Sequence, residues 1–128
     1  MGPPYLIDTN IIIDYFENRL PANSIIWLEQ KIDDDTCSIS IINRIELFSF
    51  KAPLEDQAKL LDFTDRCSLI RLTDEIAEQT ALIRQSIKIK LPDAVIAATA
   101  IVHDLTLITR NTDDFKNIPG LTVLNPHD

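Results

Sequence analysis

Asp8, Glu46, Asp93, Asp113 and Asp114 are scattered along the chain, yet the pattern around most of them leads to one place. Asp8 ends a short apolar run, and Asp93 opens a nearly all-apolar segment. Asp113 and Asp114 follow another apolar run that ends at Thr109, and Glu46 lies one helical turn beyond Ile42. Carboxylates brought together repel: two of them ~4 Å apart at an effective dielectric of ~20 cost roughly 4 kcal/mol. A hard divalent cation removes that penalty, and Mg²⁺ or Mn²⁺ suits carboxylate and water ligands. Such an ion can activate water, orient a phosphate and stabilise a leaving oxygen. The cluster therefore favours phosphodiester chemistry with no histidine or cysteine nucleophile.

Each acid also has a purely structural reading. Asp8 could accept hydrogen bonds from the amides of the following helix. Asp93 could complement a helix N-terminus, a stabilisation of about 0.3–1 kcal/mol. Asn111 and Asp114, spaced Asn-x-x-Asp, could form a variant capping box. Glu46 is hardest to explain this way, because an unpaired carboxylate beside an apolar stripe is costly to desolvate. His103, at a helix end, and His127, in the tail, fall away from the acids and are expected to be structural or solvent-facing. No Walker loop, Gly-rich dinucleotide motif or Gly-x-Ser-x-Gly elbow is present, and two glycines could hardly build one.

The elements that must position these side chains read as short strands alternating with helices. Residues 5–7, 37–39, 69–72, 105–109 and 121–124 have the character of short strands. Thr9 and Asn10 can cap a helix carrying Ile11, Ile12, Tyr15 and Phe16, which ends before Pro21. A second helix fits 23–31, with Ile25, Leu28 and Ile32 on one face and Trp27 off it. Ser40 caps a third, in which Ile41, Ile45 and Phe48 follow helical spacing. Pro53 suits the first turn of a fourth, with Leu54, Ala58 and Leu61 facing inward. Thr73 caps a fifth, acidic in its first turn, with Ile76, Thr80, Ile83 and Ile87 on its inner face. Pro92 starts a sixth over 93–103, whose alanines let it pack closely and make it the most buried. Such alternation predicts a parallel sheet covered on both faces, with a site outside the carboxyl ends of the strands. For Glu46 and Asp93 the placement depends on how the helices pack.

The overall balance narrows the functions further. Twenty Asp and Glu against twelve Lys and Arg give a net charge of −8. That argues against a duplex-binding protein with a broad basic face. With 45% hydrophobic and 25% charged residues, the composition is that of a globular chain, and residues 1–128 are expected to form a single domain. No apolar run approaches the ~20 residues of a membrane span. The first residues carry no basic region, and Asp8 and Asp14 interrupt the apolar stretch that follows, so no secretory signal is expected. Cys37 and Cys67 then read as two reduced thiols in a cytoplasmic protein.

Four blocks together resemble the PIN-domain nucleases, and more narrowly the VapC toxin ribonucleases of VapBC toxin–antitoxin pairs. They are Tyr5-Leu6-Ile7-Asp8-Thr9-Asn10 with Asp14 four positions on, Ile42-Asn43-Arg44-Ile45-Glu46-Leu47, Leu91-Pro92-Asp93-Ala94-Val95-Ile96-Ala97-Ala98-Thr99-Ala100, and Leu107-Ile108-Thr109-Arg110-Asn111-Thr112-Asp113-Asp114-Phe115 with Ile118-Pro119-Gly120-Leu121 behind it. The resemblance implies an α/β, PIN-like three-layer α/β/α sandwich around a parallel sheet of order 3-2-1-4-5. It implies a Mg²⁺- or Mn²⁺-dependent endoribonuclease with Asp8, Glu46, Asp93 and Asp114 as catalytic and metal-binding acids, and Thr9, Asn10 and Asn111 in support. Asp14 would support the fold. The implied partners are RNA, a basic antitoxin protein that masks the site, and a second copy of the chain. Asp113 competes with Asp114 for the fourth position. Adjacent helix positions lie about 100° apart, so a buried Phe115 would turn Asp114 to the cluster and Asp113 to solvent.

Two other readings compete. A PIN-like domain could keep metal and partner binding with little activity, although the intact acids speak against it. A receiver-type signalling domain is also α/β with clustered acids, but it wants an acidic pair after the first strand and a late Lys. Here Asp8 is followed by Thr-Asn, and Arg110 is a poor substitute.

Overall fold

The computed structural model describes residues 4–128. The five strands are three or four residues long: β1 (Tyr5–Ile7), β2 (Cys37–Ser40), β3 (Ser68–Ile70), β4 (Thr106–Ile108) and β5 (Thr122–Leu124). They form one sheet of order β3-β2-β1-β4-β5, with every neighbouring pair parallel. Between them lie α1 (Thr9–Phe16), α2 (Ala22–Asp33), α3 (Ile41–Ser49), α4 (Leu54–Asp65), α5 (Asp74–Ser86), α6 (Leu91–Val102) and the short α7 (Thr112–Phe115).

Strand periodicity of two divides the core. Leu6 pairs in register with Leu107, and both face a layer built from α5 and α6, with Ile76, Ile83, Ala94, Ile96 and Phe115. Ile7 pairs with Ile108, and both face α1, α2 and α4, with Ile11, Leu28, Ile32, Leu60 and Phe63. The result is the expected three-layer sandwich with a 3-2-1-4-5 sheet. In α6 every residue from Ala94 to Ala100 is buried, as its all-round apolar character requires. Helix α3 straddles the two layers, for Ile42 packs on the first cluster and Leu47 belongs to the second. That position holds its first turns at the carboxyl edge of the sheet.

Several local expectations need correction. Asp8, not Thr9 or Asn10, is the N-cap of α1: its backbone is extended and its side chain accepts from Thr9 N. The fourth helix buries Leu60, Phe63 and Thr64, whereas Leu54 is 83% exposed and Ala58 and Leu61 face solvent. Two apolar stripes run along this helix, and the one carrying Phe63 is taken because its ring packs on Tyr15 and Phe16. In α3 Ile45 and Phe48 are exposed, and Asn43 and Leu47 are buried instead. Trp27 is half-buried, edge-on to Tyr5 at 5.1 Å between ring centroids.

With glycine scarce, Asn18, Asp35, Asp104 and Asn117 supply left-handed turns, at φ between 55° and 67°. Asn and Asp tolerate this region better than other side chains. After α1, α2 and α6 the next amide closes the helix on a carbonyl five residues back, as in Leu105 N to Ala100 O at 2.8 Å. Cys37 and Cys67 are both buried and free, and burial pushes each thiol up to about 12. Among the described residues no helix is long and apolar enough to cross a membrane.

Candidate active site at the carboxyl edge of the sheet

Strand β1 ends at Ile7 and hands the chain to α1 through Asp8, whose amide donates to Ile108 O at 2.9 Å. Its carboxylate is 5% exposed, and every hydrogen bond it receives comes from a neutral donor. Oδ1 accepts from Thr9 N at 2.8 Å and Asn43 Nδ2 at 3.2 Å. Oδ2 accepts from Thr109 Oγ1 at 2.8 Å and Asn10 Nδ2 at 3.2 Å. Burial pushes the Asp8 carboxyl above the usual range; the hydrogen bonds oppose this, and the charge of Glu46 adds to it.

Asn43 is held in place by its own capping box. Its Oδ1 accepts from Ser40 Oγ at 2.8 Å and Ser40 N at 3.1 Å, while its backbone N donates back to Ser40 Oγ. With the carbonyl end so occupied, Nδ2 is aimed at Asp8 and at Thr9 Oγ1, 3.1 Å away. Thr9 Oγ1 in turn donates to Glu46 Oε1 at 2.7 Å. Glu46 is exposed, so the desolvation cost expected for it does not arise. Thr9 is the bridge that ties it to Asp8.

Thr109, at the end of β4 and fully buried, is a second hub. Its hydroxyl donates to Asp8 and accepts from Asn10 Nδ2 at 3.3 Å and Asn111 N at 3.1 Å. Asn10 Oδ1 accepts from Arg110 N at 3.1 Å, which closes the loop between α1 and the turn after β4. Asn111 contributes through its backbone, and its side chain makes no cap bond, so the anticipated Asn111–Asp114 capping box does not form. Asn43 and Thr109 are not among the site residues expected from sequence. The signals were present: Asn43 stands three residues after a capping serine, and Thr109 ends a buried strand two residues before Asn111.

Asp93 lies in the first turn of α6. Burial first, and then the charges of Asp8 and Asp114, push its carboxyl up, while Lys90 opposes them. Asp8, Glu46, Asp93 and Asp114 therefore feel one another in a chain Asp8–Glu46, Asp8–Asp93, Asp93–Asp114. Asp113 sits instead 3.7 Å from Lys116, with its side chain 91% exposed. Phe115 is buried, at 2% exposed, as the register of this turn requires. Among the described residues no three acidic, histidine or cysteine side chains converge closely enough to cage an ion. Mg²⁺ does not need a cage: it commonly takes one or two carboxylates and keeps several waters. An all-oxygen set with mutual repulsion and one opposing Lys fits such an ion.

Asp14 lies elsewhere. It is 1% exposed, and Arg110 grips both its oxygens at 2.8 and 3.0 Å. His127 Nε2 lies 2.8 Å from Oδ2; a carboxylate only accepts, so the ring donates. His127 is thus close to an acid after all, though not to one of the four, while His103 is exposed at the end of α6.

Comparison with known proteins agrees with this architecture. The family model described as PIN domain matches residues 5–121. Ribonuclease VapC2 of Rickettsia felis is 33% identical over 94% of this chain and 96% of its own length. A toxin–antitoxin complex from Klebsiella pneumoniae contains a chain 35% identical, with a TM-score of 0.77 over 97% of this chain and 98% of that one. VapBC2 from Rickettsia felis, bound to a DNA fragment from its promoter, superposes with a TM-score of 0.80 at 28% identity, over 94% of this chain and 97% of that one. With the sheet order, the acidic edge and the similarity along nearly its whole length in agreement, the chain belongs to the PIN domain family.

Proposed function

We propose that this chain is an endoribonuclease that uses Mg²⁺ or Mn²⁺ to hydrolyse RNA phosphodiester bonds, and that it is the toxin of a toxin–antitoxin pair. The observation that carries the reading is Asp8. Its carboxylate is buried among neutral donors and pushed up by burial and by Glu46, a setting that a divalent cation would relieve. Asp8 and Asp93 would hold the ion, with Glu46 and Asp114 at the two ends of the acidic chain. When bound, the ion supplies Lewis-acid activation of water and charge neutralisation at the phosphate. The chain's own part is positioning. Asn43, Thr109 and Asn10 fix the rotamer of Asp8, and Thr9 orients Glu46. Donors of this kind typically matter by 10–100-fold in metal affinity or activity.

The relatives named as toxin–antitoxin complexes support a protein antitoxin as partner, and the net charge of −8 suits a basic one. The same reading includes a homodimer in the cytoplasm. The test is cleavage of single-stranded RNA by the purified chain. EDTA should abolish it, and Mg²⁺ or Mn²⁺ should restore it. Undiminished cleavage in EDTA would sink the mechanism.

A further inference from the structure

Positive charge is not spread evenly over this acidic chain. Arg84, Lys88, Lys90 and Lys116, four of its twelve basic residues, line one cleft of about 660 Å³. Asp93, Asp113 and Asp114 line the same cleft, so it is continuous with the acidic cluster and its four bases face three acids. All four bases are exposed. Among the described residues Arg84, Lys88 and Lys90 have no carboxylate within ion-pair distance, as is also true of Lys31, Arg44, Lys51, Lys59 and Arg71, and Arg84 Nε donates to Ile89 O at 3.3 Å. Lys116 has only its 3.7 Å approach to Asp113, and an ion pair that exposed is worth little.

The segment between α5 and α6 explains the array. Ile87 and Lys90 have extended backbones, and burial alternates along the four residues. Ile87 and Ile89 turn partly inward, and Lys88 and Lys90 turn out. Side chains two apart on an extended segment share a face and stand about 6.6 Å apart along it, at roughly 3.3 Å per residue. The loop therefore presents two ammonium groups in a row, with Lys116 of the turn after α7 lining the same cleft.

We infer that this cleft holds the sugar–phosphate backbone of single-stranded RNA on one side of the bond to be cut. The inference rests on the ribonuclease reading and deepens it. The cations offset the repulsion that a −8 chain exerts on a polyanion, at the place where the strand must enter. Ile87 and Ile89 give the cleft a partly apolar floor. One loop and one turn make a track for a single strand, not the broad basic face that a duplex needs.

The test is equilibrium binding of a fluorescent single-stranded RNA in EDTA over a salt series, for the parent and for the Lys88→Gln/Lys116→Gln double variant. A Lys51→Gln/Lys59→Gln double variant makes the same change in net charge at exposed residues outside the cleft. Each phosphate that a lysine no longer neutralises should flatten the plot of log affinity against log salt by about 0.7, hence about 1.4 for the cleft variant. The control should keep the parental slope. Equal slopes in all three proteins, equal flattening in both variants, or no RNA binding by the parent at low salt would each overturn the inference. Cleavage by the parent in Mg²⁺, measured alongside, reports on the enzyme itself. A cleaving parent with an unchanged slope removes the cleft and leaves the nuclease. A non-cleaving parent with a flattened slope in the cleft variant does the reverse.

Discussion

Helix α1 carries a buried carboxylate near each end, and the two are treated in opposite ways. Asp14 is 1% exposed and paired with a guanidinium and an imidazole. Asp8 is 5% exposed and surrounded by amide and hydroxyl donors, with two further acids close enough to push up its own carboxyl or be pushed up by it. Burial is similar, so burial does not distinguish the acid proposed to hold the ion from the one that is paired within the chain. The charge of the partners does. Asp14 is neutralised from within the chain, and its ties reach the turn after β4 and the C-terminal tail. Asp8 is oriented from within the chain by groups that carry no charge.

The sharpest way to break this contrast is to remove each charge without changing size. Asp8→Asn should lower RNA cleavage by more than the ~100-fold associated with losing a supporting residue, while the metal-free protein still folds, relief of the buried charge offsetting in part the two donors that the new NH2 cannot accept. A variant that cleaves like the parent would mean that Asp8 is as structural as Asp14. Asp14→Asn should do the converse. It leaves Arg110 facing a neutral amide; breaking a buried pair costs about 3–5 kcal/mol, and the half-exposed Arg110 reduces that to roughly 1–3. Activity per folded molecule should stay close to parental. A double-mutant cycle with Arg110→Gln measures the pair itself, and a coupling near zero would show that Asp14 owes its place to something else.

A smaller effect tests the donors. Asn43→Ala removes the amide aimed at Asp8 and the capping box together, so it should weaken Mg²⁺ binding about 10–100-fold and lower stability by roughly 1 kcal/mol. Ser40→Ala disturbs the cap while leaving the amide in place. If it weakens metal binding as much as Asn43→Ala, the amide hydrogen bond is not what matters. At the open end of the cluster, Asp114→Ala should lower activity and Mg²⁺ affinity more than Asp113→Ala does, because Asp114 is the one that raises Asp93. The opposite order, at equal thermal stability, would reverse the register assigned to α7.

The least of these effects is on pH dependence. Asp8 and Asp93 have carboxyls raised above the unfolded value of 3.8, so between that value and the raised one the folded state binds more protons. Metal-free protein should therefore gain stability as pH falls through that window, and lose it as pH rises back. Asp8→Asn should remove its share of that dependence. Denaturant midpoints across the acidic range, with parent and variant overlaid, check the sign; identical curves would mean that Asp8 is not raised.

Much of this was legible along the chain because it depends on local rules. Short apolar runs, Ser40 and Thr73 as caps, and Ala-rich α6 as the most buried helix all follow from period and capping chemistry. The α4 face was not legible, because Leu54, Ala58 and Leu61 repeat as regularly as Leu60 and Phe63. Only the aromatic packing against α1 chooses between the stripes. The acids could be named from their strand ends and their resemblance to the PIN family. The partners that separate Asp8 from Asp14 could not.

That division has a physical cause. Sequence by itself determined the alternation of elements, which is set by neighbours a few residues away and from which the parallel sheet follows, and with the family resemblance it pointed to the candidate acids. Which charge meets which was decided by tertiary structure alone. Asn43 and Thr109 reach Asp8 from 35 and 101 residues away, and Arg110 and His127 reach Asp14 across 96 and 113. Asp8 caps α1 and Asp14 lies six positions on, within it. They have different surroundings because the fold brings only neutral donors to one and the Arg110 guanidinium to the other.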